Sequence, residues 1–472
     1  MPYVRPAGAP SGTSGAVGRG APTVAPGRRV AGMALLGTST LLLTVLEAVA
    51  ALVDEPWLAD VRAVLAGVIL VIALLEARPL WRALAGGFVV LGALLIAIGP
   101  VSGSVYEVYR SGVLTVTPVV ALLVSVTRLN AVVLSGRYNL ALAAFLSRRG
   151  RTSWSRMLPL YLAYLLSPVL LAGALAQSYG PFQQADGDAD RRLLAVCVRA
   201  LSLGLVWSPM AAPTAFALTL LDVPVTAYLA IALPASLLAF VLLLVTTRGL
   251  PVVAPAPGVG QDPAKVLRLL IFLVALPLLV GVLAAVRGHV DLQVVLLGML
   301  TVTVTWAALD RFTARQPEPV GTPVRHPPRG LAAEGVALYL SLGVFVGGVR
   351  LVTSDGFSWA ADPTTAVGLA FVGSAACFLV GVHPVAVIAV LSPTVLALDP
   401  GYAAVAAFAL CAGAQAVNVS SPFSPLSVVG SQLARTTPWE VSSPVHWRFS
   451  LQQLALYGAV CAVALGIASP TS

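Results

Sequence analysis

Long apolar runs separated by short polar turns organise this chain from Val30 onward. A helix that spans a bilayer needs about 20 predominantly apolar residues. Such runs occur at roughly 31–53, 61–76, 80–100, 113–128, 193–221, 226–247, 267–286, 291–309, 333–352, 401–420 and 450–468. Two further apolar blocks, 155–177 and 365–398, are interrupted by Leu166-Ser167-Pro168 and Val382-His383-Pro384, and read as hairpins rather than single spans. Two of the long runs carry proline doublets of their own. One is Ser208-Pro209 with Pro213-Thr214, and the other is Asn418-Val419-Ser420-Ser421-Pro422 with Ser424-Pro425. Proline removes a donor and clashes with the preceding turn. The pattern therefore predicts an all-α polytopic membrane protein with about 11 spanning helices and two re-entrant hairpins. Broken helices are expected near 208–213 and near 418–430.

The interruptions recur with similar spacing: 41 residues from Pro168 to Pro209, and 38 from Pro384 to Pro422. Breaks in corresponding positions of two halves point to the binding site of a transporter. Arginine in short loops sets topology, because basic loops stay on the cytoplasmic side. The Gly- and Pro-rich tail 1–30, with Arg5, Arg19, Arg28 and Arg29, is expected to be disordered and cytoplasmic, and the acidic turn with Asp54, Glu55 and Asp60 external. Arg78 and Arg82 then return inside, as do Arg128, Arg137, Arg148, Arg149, Arg151 and Arg156. The Pro-rich linker with Arg311, Arg315, Arg325 and Arg329 is inside again. On this count the first hairpin enters from the cytoplasm and the second from outside, as inverted-topology repeats require. The expected divisions are the tail 1–30, scaffold helices 31–112, a first repeat 113–309, a linker 310–332 and a second repeat 333–472. Residues 137–156 read as an interfacial helix.

Composition agrees with the apolar pattern. Of the 472 residues, 58% are hydrophobic and 10% charged, against about 25% charged in soluble domains. A net charge of +9 would suggest nucleic-acid binding in a soluble protein. Here Lys265 is the lone lysine and the arginines flank apolar runs, so the charge orients helices and no nucleic-acid partner is expected. Cys197, Cys377, Cys411 and Cys461 lack CxxC spacing and read as small buried hydrophobes. The Arg, Ala, Val and Gly bias suggests the cytoplasmic membrane of a high-GC bacterium.

Few titratable groups fall within the apolar runs. Glu47 reads as a helix-end residue or an ion site, and Arg199 as a side chain snorkelling to the cytoplasmic boundary. His383 sits at a predicted hairpin tip, as a structural histidine or a proton carrier. The sequence lacks a Walker A loop, an HExxH motif and a nucleophile–base pair, so neither ATP-driven transport by this chain alone nor an enzyme is expected, and no cofactor. The remaining chemistry lies in hydroxyls and amides at the breaks. Ser167, Pro168, Ser208, Pro209, Thr214, His383, Pro384, Asn418, Ser420, Ser421 and Ser424 are the expected solute- and ion-binding positions, with Na⁺ ligation through Ser208, Asn418 and Ser421. Unwound carbonyls and half-helix C-termini coordinate cations, while half-helix N-termini meet anions. A plainer reading has the same Ser and Pro residues merely kinking helices.

Taken together, these motifs over residues 113–468 resemble the ion transporter superfamily, in particular its divalent anion/sodium symporter branch. In that family each repeat has an interfacial helix, a re-entrant hairpin tipped by Ser-Asn-Thr and a broken helix with a Thr-Pro-type turn. Neither tip here carries Ser-Asn-Thr, so the resemblance is to a divergent branch. It implies elevator-type alternating access with a scaffold that also forms a homodimer. The expected function is secondary transport of a small, anionic solute coupled to Na⁺ or H⁺. A monovalent cation/proton antiporter on the same scaffold is the second reading. A membrane-embedded lipid or polysaccharide enzyme, or an accessory subunit, is the third.

Overall fold

The structure is a computed structural model that describes residues 26–53, 55–99, 104–135, 138, 141, 153–171, 173–179, 182, 187–247, 263–287, 292–313, 330–353, 362–396, 398–442 and 446–468. Residues 1–25, most of 137–156 and 314–329 lie outside the described residues, and with them most of the expected tail, interfacial helix and linker; positions 310–313 and 330–332 of that linker belong to helices. The helices run α1 (Pro26–Ala50), α2 (Pro56–Glu76), α3 (Pro79–Ile98), α4 (Val105–Ser135), α5 (Ser153–Leu170), α6 (Gly173–Ser178), α7 (Gly187–Val206), α8 (Ala212–Leu220) and α9 (Val225–Thr246). They continue as α10 (Pro263–Arg287), α11 (Leu292–Thr313), α12 (Gly330–Thr353), α13 (Pro363–Leu379), α14 (Pro384–Leu396), α15 (Ala403–Val417), α16 (Pro425–Ala434), α17 (Pro438–Ser442) and α18 (Trp447–Ala468). No strand occurs among the described residues. Nine stretches among them are long and apolar enough to cross a membrane. The chain is an all-α, multi-pass membrane protein.

Prolines mark the starts. Pro56, Pro79, Pro363 and Pro425 each occupy the first helical position, where the missing N–H costs no hydrogen bond. Helix α4 begins at Val105, eight residues before the apolar run that predicted it, so the expected boundary at 112 falls inside a helix. Its first turns are polar, and they are held by α2. Asp60 pairs with Arg110 at 2.9 Å and accepts from the Tyr106 hydroxyl at 3.1 Å.

Helix α12 is the hub of one group of helices. It packs on α2, α3 and α4, while α1 bridges α2 and α4, α11 lies on α4, and α10 on α11. Glycines bring these backbones together. A Cβ on Gly347 would stand 2.6 Å from the Val108 carbonyl, and one on Gly92 would stand 2.8 Å from the Phe345 N and the Val344 carbonyl. Between helices in lipid there is little hydrophobic drive, so close backbone packing of this kind carries the association. Ion pairs add to it. Glu334 of α12 receives both a nitrogen bond from Arg78 Nε and a second from Nη2 at 2.8 Å.

A second group contains the interrupted elements. Here α5 packs on α7 and α13 on α15, while α9 lies against α7 and α15, and α18 against α15. Every residue from Val405 to Ser421 is buried, which makes α15 the centre of this group. The short limbs cross over between the pairs: α14 packs on α8, and α6 on α16. The two groups meet mainly through α4 with α8 and α12 with α14, and less extensively through α4 with α5 and α11 with α8.

Gly347→Ala should push α4 away from α12 and lower stability by about 1–3 kcal/mol. Gly87, with open space around its Cα, is the control. Gly87→Ala should leave thermal melting in detergent unchanged or raised. Equal melting of the two variants would refute the close-packing account.

Candidate functional site

The first interruption lies at Leu171, not at Ser167-Pro168 as the sequence suggested; helix α5 runs through Pro168 and ends at Leu170. The reason is a local repair. Pro168 cannot donate to the Tyr164 carbonyl four residues back, and the Ser167 hydroxyl donates to that carbonyl instead at 2.8 Å. The helix therefore survives its proline and breaks three residues later, where Leu171 adopts φ 49°. A left-handed conformation costs a non-glycine residue about 1–2 kcal/mol. Asn130 of α4 holds this turn, donating its amide to the Leu170 carbonyl at 3.0 Å. Gly173 sits so close beneath the Asn130 side chain that a Cβ there would fall 2.7 Å from its Cγ.

Broken helix one is α7–α8, with its break at 207–211. Ser208 is the centre of that turn. Its hydroxyl donates to the Pro168 carbonyl at 2.6 Å and accepts from the N–H groups of Met210 and Ala211 at 3.3 and 3.1 Å. Carbonyls at the end of α7 find other donors. Tyr228 OH reaches Val206 O at 2.5 Å and Ser236 Oγ reaches Leu203 O at 2.7 Å.

The second hairpin, α13–α14, breaks at 380–383, and Pro384 opens the next helix as the sequence predicted. Asp362 caps its first limb, accepting from Thr365 N at 2.9 Å and from Thr365 Oγ1 at 2.6 Å. The turn residue is Gly381, with φ 92°. His383 follows it, edge-on to Tyr339 of α12 with ring centroids 5.9 Å apart. Broken helix two is α15–α16, with its break at 421–424. Ser421 donates to the Phe378 carbonyl at 3.1 Å, Ser427 Oγ donates back to Ser421 O at 2.8 Å, and Ser424 caps α16 by accepting from Ser427 N at 3.1 Å.

The two interruptions make similar bonds, at offsets of 213 and 210 residues. Ser208 and Ser421 stand 213 apart, and each donates to a carbonyl three residues before a left-handed turn: Pro168 before Leu171, Phe378 before Gly381. Those turns stand 210 apart in the chain, whereas the sequence reading set Pro168 against Pro384, 216 apart. Both Ser–Pro turns also close with the same bond, Ala211 N to Ser208 O and Ser424 N to Ser421 O, each 3.2 Å. Ser202 of α7 donates to the Gln415 carbonyl of α15 at 3.2 Å. These two positions are again 213 apart.

Of the expected site residues, Ser167, Pro168, Ser208, Pro209 and Thr214 gather at the first break, and Asn418, Ser420, Ser421 and Ser424 at the second. Ser167 is occupied in mending α5. Ser420 shares a hydrogen bond with Ser450 of α18 at 2.8 Å, and the Asn418 amide donates to Gln415 Oε1 at 2.6 Å. Asn418 Oδ1 is buried without a hydrogen-bond partner. Glu47 lies near the end of α1 yet is fully buried, paired with Arg62 of α2 at 2.9 Å, far along the chain from either break. Arg199 does not simply reach outward. Its Nε donates to His446 Nδ1 at 3.0 Å and its guanidinium lies 5.6 Å from the Phe449 ring centroid.

Three residues were missed: Asn130, Tyr339 and Arg350, all on α4 or α12. Arg350 donates to Thr115 Oγ1 at 3.1 Å and to the Leu220 carbonyl at the end of α8 at 3.3 Å. A lone polar residue within an apolar helix was the available signal.

Leu171→Gly should relieve the left-handed turn and raise the melting temperature, by about 1 kcal/mol of stability. Gly381→Ala should do the reverse, because its Cβ would also meet the Phe423 ring at 2.8 Å. Glu47→Ala should cost about 3–5 kcal/mol by stranding Arg62, and Glu47→Met with Arg62→Met should recover most of that loss in the same melts.

Neither a protein-family model nor a curated protein matches the chain.

Proposed function

We propose that the chain is a secondary active transporter of a small, anionic solute, coupled to Na⁺ or H⁺, in which residues 113–309 and 333–472 are inverted-topology repeats. One observation carries the reading: two Ser–Pro turns, 213 residues apart, each bonding the carbonyl three residues before the left-handed turn of its own hairpin. The contact of Ser202 with Gln415 supports it, since equivalent positions touch where a two-fold axis relates two halves. Interrupted helices paired in this way are the setting in which transporters bind solute and coupling ion.

The geometry suggests how a cation would be held. The Ser208 hydroxyl now spends its hydrogen on the Pro168 carbonyl, and Ser421 does the same with Phe378. Turning either hydroxyl presents two oxygens, one from the serine and one from the carbonyl, to a single Na⁺. Asn418 Oδ1, buried beside the second break and without a partner, is a further oxygen for that role. In the elevator reading α5–α9, α13–α16 and α18 move against α1–α4 and α10–α12. The bonds of Asn130 and Arg350 to Leu170 and Leu220 would then have to be exchanged during transport.

Uptake of a panel of organic anions into proteoliposomes, with imposed Na⁺ or proton gradients, tests the reading. At least one gradient should drive accumulation. Ser208→Ala and Ser421→Ala should each raise the Na⁺ or solute concentration needed for half-maximal uptake by roughly tenfold, in protein that still elutes as a single species. Uptake indifferent to both gradients, or unchanged in both variants, would refute it.

A further inference from the structure

Helices α3 and α4 both press on α12 but barely touch each other among the described residues. Glycines draw each of them in. A Cβ on Gly92 of α3 would stand 2.8 Å from the Val344 carbonyl, and one on Gly112 of α4 would stand 2.6 Å from Gly347 N. Between the two helices Val344 floors a recess of about 510 Å³, walled by Ala93, Ile96 and Ala97 on one side and Tyr106 and Tyr109 on the other. Small side chains make it. Elsewhere α3 exposes Val90, Leu91, Leu94 and Ile98, whereas Ala93 and Ala97, one turn apart, offer only methyl groups.

The recess opens on the bilayer, since 79–98 and 105–133 are both spanning stretches. Almost no polar surface reaches into it, because the tyrosine hydroxyls turn away. Tyr109 donates to the Ala63 carbonyl at 3.0 Å and Tyr106 to Asp60 at 3.1 Å. Water needs two to four polar partners to remain in a cavity, so it is a poor occupant. A helix of a second copy is too broad. From Ala93 to Ala97 the recess runs about 6 Å along α3, against a helix about 10 Å across. A single hydrocarbon chain fits, and the surrounding lipid supplies it.

The mouth carries charge of both signs. Tyr106 lies in the first turn of α4, and tyrosines at the end of a span sit at headgroup level. The Asp60 oxygen that accepts from Tyr106 also pairs with Arg110 Nε at 2.9 Å, and both charged side chains stay partly open to solvent. Glu107 is exposed beside them. A zwitterionic headgroup matches this arrangement, with its phosphate toward Arg110 and its ammonium toward Asp60 and Glu107. A glycerol headgroup would bring only negative charge to two carboxylates.

We propose that the recess between α3 and α4 binds one phosphatidylethanolamine, an acyl chain filling it and the headgroup resting on Asp60 and Arg110. This site is independent of the transporter reading.

Full-length protein, purified in detergent and stripped of lipid, is reloaded with dioleoyl phosphatidylethanolamine or dioleoyl phosphatidylglycerol and followed by native mass spectrometry and thermal melting. One ethanolamine lipid should be retained, roughly tenfold more tightly than the glycerol lipid, and should raise the melting temperature. Ala97→Phe and Ala93→Phe fill the recess and should each weaken that retention tenfold or more. Ala97→Leu should weaken it less, and carries the test should the larger side chains prevent folding. Val90→Phe, on the exposed part of α3 outside the recess, should leave it unchanged. Asp60→Asn should remove the preference between headgroups while a lipid is still held. Equal retention of the two lipids by the unaltered protein, or ethanolamine lipid held as tightly by the filled variants, would overturn the site. A dimer that Ala97→Phe splits would also overturn it, by giving the recess to a second copy.

Discussion

A backbone group that loses its helical partner inside a membrane must find another, because no lipid can supply one. Every feature of the interrupted elements follows from that requirement. Ser167 Oγ supplies the donor that Pro168 lacks, so α5 continues through a residue that should end it. Carbonyls near the breaks are met by Asn130 at Leu170, Ser208 at Pro168 and Arg350 at Leu220, and Ser421 adds a second donor to Phe378 O beside Gly381 N. Serine suits this task, since one short side chain can donate to a distant carbonyl while accepting from its own turn, as Ser208 does from Met210 and Ala211.

The same requirement ties the two helix groups together. Asn130 and Arg350 belong to the α4–α12 pair, which is locked by glycine contacts at Gly112, Gly343 and Gly347. From that rigid base they reach the ends of α5 and α8. Tyr339 does the equivalent at the second hairpin through ring contact with His383. The grips are unequal. The first holds a strained Leu171 with a hydrogen bond, and the second leaves Gly381 exposed under Phe423. Two similar breaks thus differ in polarity and openness.

Much of the architecture was legible from periodicity and proline. Pro384 at the head of α14, the break after Trp207 and the break before Pro425 all stand where the residues placed them. Proline was misleading at Pro168, because a hydroxyl one residue away can replace the missing donor, and no rule of spacing announces that exchange. The start of α4 was also placed late. Its polar first turns look like a loop until Asp60 of α2 is seen to pair with Arg110. Glu47 does stand in the last turn of α1, as its closeness to Asp54 suggested; its burial beside Arg62 of α2 is what the sequence did not show.

By itself the sequence determined that the chain is an all-α membrane protein whose apolar runs are interrupted near proline, since helix length, apolar runs and proline act locally and need no partner to be read. Tertiary structure decided which atoms meet across the interruptions. The bond of Ser208 to Pro168, the contact of Ser202 with Gln415 and the contacts of Asn130, Tyr339 and Arg350 all depend on separate helices being brought together. Hydrogen bonds between such distant residues obey geometry in space, and that geometry exists only once the helices have packed.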